Sequence, residues 1–176
     1  MPSSQKIKAH FLGRIVVADD KSHAHELYDK SRFGELKDNK MQYSLVESLY
    51  LIEKGKMNVK YDDKLIKKDE FIKIAQKLEK DFWVKYIVFS DMRNRGYIVK
   101  TALKFGADFR VYDRGIKPGE DHAKWILFPV SESKGFTWHA FSAMNRVSHS
   151  TRKSLLIGVV DAESEVTYYD CIWTKP

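Results

Sequence analysis

The texture of this chain changes near residue 80, and that change constrains it to a mixed architecture built in two parts. Before it, the segment 43–54, YSLVESLYLIEK, places Leu45, Leu49 and Ile52 on one side with Val46 and Tyr50 beside them. This is the spacing of an amphipathic helix, and Gly55 supplies its C-terminal stop. The segment 67–82, KKDEFIKIAQKLEKDF, repeats the pattern with Phe71, Ile72, Ala75 and Leu78 and a lysine-rich outer face. A hairpin-like stretch, 57–67, separates the two, and HFLGRIVVADD at 10–20 reads as a strand running into a turn where a small sheet begins.

Past residue 80 the runs are longer, aromatic and β-branched. WVKYIVFSDMRNRG is expected to be helical up to Gly96, YIVKTALKF and DFRVYD to form a hairpin around Gly106–Ala107, and KWILFPV to form a further strand. TWHAFSAMNRVSHSTR carries Trp138, Phe141, Met144 or Asn145, and His149 at helical spacing, with basic residues closing its end. SLLIGVVDA and EVTYYDCIWTK then form a last pair of strands around an acidic turn. The expected fold is mixed α/β, with a small N-terminal unit over 1–80 and a second unit over 81–176 in which helices flank a mixed sheet.

Composition removes several classes. Hydrophobic residues at 43% and charged residues at 31%, with 4 prolines and 9 glycines, exclude disordered and low-complexity chains. No run of about 18 apolar residues occurs and MPSSQKIKAHFLGRIVV lacks an apolar signal core, so a cytoplasmic protein without a membrane segment is expected. The single cysteine, Cys171, read as a strand residue, rules out an internal disulfide and a multi-thiolate zinc site. A net charge of +7 suits a polyanionic partner.

No Gly-rich phosphate loop, HExxH helix, CxxC pair, EF-hand loop or GxSxG elbow is present. Of the six histidines, His23 and His25 alternate in a polar segment and read as surface residues, so no metal site and no cofactor are expected. His122 stands apart because it lies in a polar loop, DRGIKPGEDHAKW, between two strand-like segments, where catalytic groups are commonly displayed. Tyr112 ends the preceding strand, and Lys153 lies where a basic helix meets the strand LLIGVV. With RNA, whose own 2′-hydroxyl is the nucleophile, such a trio is chemically sufficient. Tyr112 takes the hydroxyl proton, His122 protonates the leaving 5′-oxygen, and Lys153 stabilises the charge developing on phosphorus. An ordinary tyrosine has a pKa of about 10, so Tyr112 needs a nearby cation for this role. The plainer reading makes the three a packed aromatic, a solvated loop residue and a helix-terminal charge.

The run RGYIVKTALKFGADFRVYDRG at 95–115, DHA at 121–123 and RVSHSTRKSLLIGVVDAE at 146–163 closely resembles the archaeal tRNA-intron, or tRNA-splicing, endonucleases. YSLVESLYLIEKG resembles the helix that follows their small first domain, so the likeness spans most of 43–176, and residues 1–42 match loosely. The resemblance implies a nuclease-like C-terminal α/β domain. It also implies metal-independent cleavage of precursor tRNA at bulged exon–intron junctions, giving 2′,3′-cyclic phosphate and 5′-hydroxyl ends. It places the catalytic tyrosine, histidine and lysine on Tyr112, His122 and Lys153, and the two side chains that a partner active-site unit contributes to pinch an extruded base on Arg146 and Tyr168. It implies an assembly of four units and likens Asp161, Glu163 and Glu165 to a loop that docks on an opposing subunit, which favours a homotetramer over a heterotetramer with a structural subunit. The alternatives are a non-catalytic RNA-binding or structural subunit of such a complex, and a magnesium-dependent restriction-like DNA nuclease with clustered carboxylates.

Overall fold

A computed structural model describes residues 6–19, 21–116, 118–119 and 122–174. The chain forms two compact units, residues 1–86 and 87–176, and the division falls inside the helix at 82–94. The mixed α/β expectation holds in both.

The first unit is built on a six-stranded sheet of order β3-β4-β2-β1-β5-β6. Its strands are β1 (Ile7–Leu12), β2 (Ile15–Ala18), β3 (Glu35–Lys37), β4 (Lys40–Tyr43), β5 (Met57–Tyr61) and β6 (Lys64–Leu65). β1 pairs parallel with β5, and the remaining pairs are antiparallel. The single strand expected over 10–20 is a hairpin instead: Leu12 pairs with Ile15 across a two-residue turn in which Gly13 has φ +65°. Ile7, Ala9 and Phe11 face the core as the two-residue period requires.

Three helices lie in this unit: α1 (Lys21–Ser31), α2 (Leu45–Glu53) and α3 (Lys68–Leu78). α1 has no expectation in the sequence pattern, because Ala24 is its one fully buried apolar side chain and Leu27 beside it is only half-buried. On a helix, positions i and i+2 point in widely different directions, so His23 and His25 do not share a face. The start of α2 follows from a capping box: the Ser44 hydroxyl accepts from the Glu47 N–H at 3.3 Å while the Glu47 carboxylate accepts from the Ser44 N–H at 3.0 Å. The other Glu47 oxygen accepts from the Gly34 N–H at 3.1 Å, tying the helix to the entry of β3, and Glu47 is only 4% exposed. Leu45, Leu49 and Val46 are buried as the periodicity predicts, and Phe71 of α3 packs its ring against Phe11 at 5.3 Å.

The second unit holds a five-stranded sheet of order β11-β10-β9-β8-β7. Its strands are β7 (Ile98–Thr101), β8 (Phe109–Tyr112), β9 (Trp125–Ser131), β10 (Ser154–Val160) and β11 (Val166–Cys171). β9 and β10 are parallel, joined through helix α5 (Trp138–Ser150), and all other neighbours are antiparallel. The expected strand 97–105 stops at Thr101. Leu103–Phe105 form a 3-10 turn, Gly106 takes φ +72°, and Ala102 and Ala107 turn inward to the core. On one sheet face Phe141, Met144 and Val147 of α5 pack over Ile126, Phe128, Leu155 and Ile157. On the other lies α4 (Phe82–Asn94), with Phe89 against Phe109 at 5.8 Å. A Cβ on Gly158 would come within 3.1 Å of Val88, which explains a glycine in the middle of β10.

Glu47 combines a helix cap with a buried, fully used carboxylate. Glu47→Ala is expected to cost roughly 2–4 kcal/mol of the first unit's stability, measured as a lowered denaturation midpoint. An unchanged midpoint would show that the box carries no net stabilisation.

Candidate active site

Three strand ends meet at one end of the second sheet. β9 and β10 run parallel and both begin there, while β8, antiparallel to β9, finishes there. The Lys124 N–H donates to the Val111 carbonyl at 2.9 Å, and the Lys124 carbonyl accepts from the Ser154 N–H at 3.1 Å. One residue thus fastens the end of β8 to the start of β10. Tyr112 directly follows Val111, Lys153 directly precedes Ser154, and His122 lies two residues before Lys124. The fold therefore brings the backbones of Tyr112, His122 and Lys153 to a common end of the sheet.

Tyr112 is 5% exposed, with the Arg110 guanidinium 6.0 Å from its ring centroid. Since Phe109 faces α4, strand alternation directs Tyr112 to the α5 side. His122 is exposed. Lys153 is half-buried where α5 turns into β10: its N–H donates to the Ser148 carbonyl at 2.9 Å and its ammonium to the Thr151 carbonyl at 2.8 Å. That tether holds the amine without neutralising it. Arg152, at φ +55°, makes the tight passage from helix to strand.

Lys153 opens into a cavity of about 840 Å³ whose lining includes Lys124, His149, Arg152 and Trp173. Trp173 is 60% exposed and meets the His149 ring edge-on at 4.6 Å. The sequence pattern places Trp173 inside an expected strand, EVTYYDCIWTK, which in the structure ends at Cys171; an exposed tryptophan following that strand is the available signal. Among the described residues no group of three or more His, Cys, Asp or Glu side chains is placed to hold a metal ion.

Arg146 and Tyr168, the pair expected to pinch a base, are not brought together within the chain. Arg146 is exposed on α5. Tyr168 pairs with Gly158, which faces α4, and its hydroxyl donates to Asp91 of α4 at 2.8 Å. Burial, followed by that carboxylate, pushes the Tyr168 phenol well above its ordinary range. Arg95, bound to Asp91 at 2.7 Å, lies 5.8 Å from the Tyr168 ring. Arg146 and Tyr168 thus occupy opposite sides of one sheet, and Tyr168 is a packing residue between β11 and α4. Asp161, Glu163 and Glu165 lie in the β10–β11 turn, at the far end of the sheet. There Asp161 accepts from the Glu165 N–H at 2.8 Å and Glu132 from the Ala162 N–H at 2.9 Å. Glu163 and Glu165 are exposed.

Two family models cover nearly the whole chain. The N-terminal domain of tRNA intron endonucleases matches residues 7–72 and their catalytic C-terminal domain matches residues 82–168. The chain belongs to the tRNA intron endonuclease family. Among its relatives, the tRNA-splicing endonuclease of Methanothermobacter thermautotrophicus is 38% identical over 97% of this chain and 99% of its own length. Those of Thermococcus onnurineus, 40% identical over 86% of each chain, and Pyrococcus abyssi, 36% identical over 96% and 97%, are similar in extent. No helix among the described residues is long and apolar enough to cross a membrane.

Tyr168→Phe removes a hydrogen bond to a carboxylate and leaves the cavity intact. A loss of about 1–2 kcal/mol in the stability of the second unit is expected in denaturant titrations, with substrate affinity unchanged. A selective loss of affinity would return Tyr168 to the binding surface.

Proposed function

We propose that this chain is a catalytic subunit that excises introns from precursor tRNA by cleaving RNA at bulged exon–intron junctions. The observation that carries the reading is the Lys124 bridge, which gathers a tyrosine, a histidine and a lysine at one sheet end in a member of this family. A subunit kept only for scaffolding has no need of all three residue types at that end.

In the proposed reaction the 2′-hydroxyl attacks the adjacent phosphorus as Tyr112 accepts its proton. His122, as imidazolium, gives a proton to the departing 5′-oxygen. Lys153, held by the Thr151 carbonyl, faces the non-bridging oxygens as negative charge grows in the transition state. The products are a 2′,3′-cyclic phosphate and a 5′-hydroxyl. The scheme uses no metal and no cofactor.

For the extruded base we retain Arg146 as one stacking surface, since a guanidinium plane stacks well on a base. We assign the second surface to Trp173 in place of Tyr168, because Trp173 lies exposed on the α5 side. Glu163 and Glu165 are proposed to dock on a basic surface of a second copy, giving a homotetramer through complementary charge.

The decisive experiment incubates the purified chain with a bulge-containing precursor tRNA in chelator, beside His122→Ala, with product ends and the mass of the active species measured. Cyclic-phosphate ends from the unsubstituted chain alone, from a four-chain species, are expected. No cleavage without an added subunit would favour the structural reading, and cleavage only with magnesium would favour the carboxylate nuclease.

Lys153→Ala is expected to lower kcat by about 10²–10³ while KM changes little, because its contact strengthens in the transition state. A variant altered only in KM would make Lys153 a binding residue.

A further inference from the structure

We propose that Arg114 and Lys124 grip substrate phosphates on either side of the segment carrying His122, as two cations preset on aromatic rings. The inference rests on the RNA-cleaving reading above and assigns that site a further pair of binding residues.

Four side chains form a ladder at the sheet end, with Trp125 on the α4 face and Lys124 reaching the cavity on the α5 side. The Arg114 guanidinium lies 4.9 Å from the Tyr97 ring centroid, Tyr97 meets Trp125 edge-on at 5.9 Å, and the Lys124 ammonium lies 4.2 Å from the Trp125 centroid. The Trp125 indole N–H donates to Asp170 of β11 at 3.2 Å, fixing the ring from its other side. Both rings are half-buried and both cations are exposed.

A cation held on a ring face is positioned without being neutralised, in contrast to one held by a carboxylate. Arg114 therefore keeps its attraction for a polyanion while less side-chain freedom remains to be lost on binding, and Lys124 keeps the part of it that Asp113 does not offset. Arg114 and Lys124 stand at the two ends of the segment 114–124, so His122 lies between them in sequence. Lys124 also lines the cavity that holds Lys153, Arg152 and Trp173. An RNA backbone leaving that cavity over the sheet end meets Lys124 first and then Trp125, Tyr97 and Arg114.

Asp113 moderates this grip. Its carboxylate lies 3.3 Å from the Lys124 ammonium, and the Arg114 backbone N–H, followed by Lys124, holds it below the usual carboxylate range. Both partners of the pair are about half exposed, 49% and 46%, so a phosphate can displace the carboxylate at small cost. Asp113 thus competes with the substrate for Lys124. Removing its charge should tighten binding, which a purely structural ion pair would not predict.

The test measures equilibrium binding of precursor tRNA to the full chain carrying His122→Ala, which prevents turnover, across a series of salt concentrations. Lys124→Gln and Arg114→Gln should each lower affinity about three- to ten-fold and reduce the log–log salt slope by about one, since one phosphate contact is lost. Lys124→Arg should restore the slope, and Asp113→Asn should raise affinity several-fold. Unchanged slopes and affinities in Gln variants with lowered melting temperature would overturn the proposal and leave the ladder a loop staple. If the unsubstituted chain cleaves precursor tRNA and only the slopes fail to move, this inference alone falls. If it neither binds nor cleaves, the RNA reading falls and this inference with it.

Discussion

The backbone of Lys124 is the constraint on which the geometry of the catalytic unit depends. Its N–H and carbonyl bridge Val111 and Ser154, so the end of β8 and the start of β10 are both fastened to the residue that precedes β9. Parallel pairing of β9 and β10 makes this possible, because it places both N-terminal ends together and sends the crossover helix α5 back along the sheet. With antiparallel pairing, Lys153 would stand at the opposite end from His122. A backbone bridge is also insensitive to side-chain identity, so the Lys124 side chain is left for other contacts.

The sheet separates tasks by face. Toward α5 lie the apolar core, Tyr112 and the cavity with Lys153 and Trp173. Toward α4 lie Gly158, Tyr168 with Asp91 and Arg95, and the Trp125 ring, while Lys124 stands at the sheet end between the two faces. The acidic β10–β11 turn occupies the end remote from Lys153, so a negatively charged surface is kept away from the end proposed to meet RNA. Such separation matters in a chain of net charge +7, where a polyanion is attracted broadly and local carboxylates decide where it settles.

Much of the architecture was legible because burial imposes period. α2, α3, α5, β9 and β10 follow the apolar spacing of their segments closely, whereas the strand expected over 165–175 ends at Cys171, leaving Ile172 and Trp173 exposed. α1 escaped notice because one alanine, Ala24, anchors it and a single buried side chain makes no periodic signal. The hairpin at Gly13 was read as one strand because both arms are apolar, and the division depends on a backbone conformation more than on hydropathy. The early end of β7 follows from Ala102 and Ala107 turning inward to meet the core under α5, a demand that local sequence does not reveal.

The amino-acid sequence by itself determined the family, the mixed α/β class and the presence of a tyrosine, a histidine and a lysine suited to RNA cleavage, since these depend on residue types and spacing along the chain. Tertiary structure alone decided which residues share a face. Arg146 and Tyr168 fall on opposite sides because β11 alternates about Gly158, while Trp173, remote from Lys153 in sequence, shares its cavity because β11 returns antiparallel to the start of β10. Pairing direction and register are set by contacts between distant segments, and a linear pattern does not encode them locally.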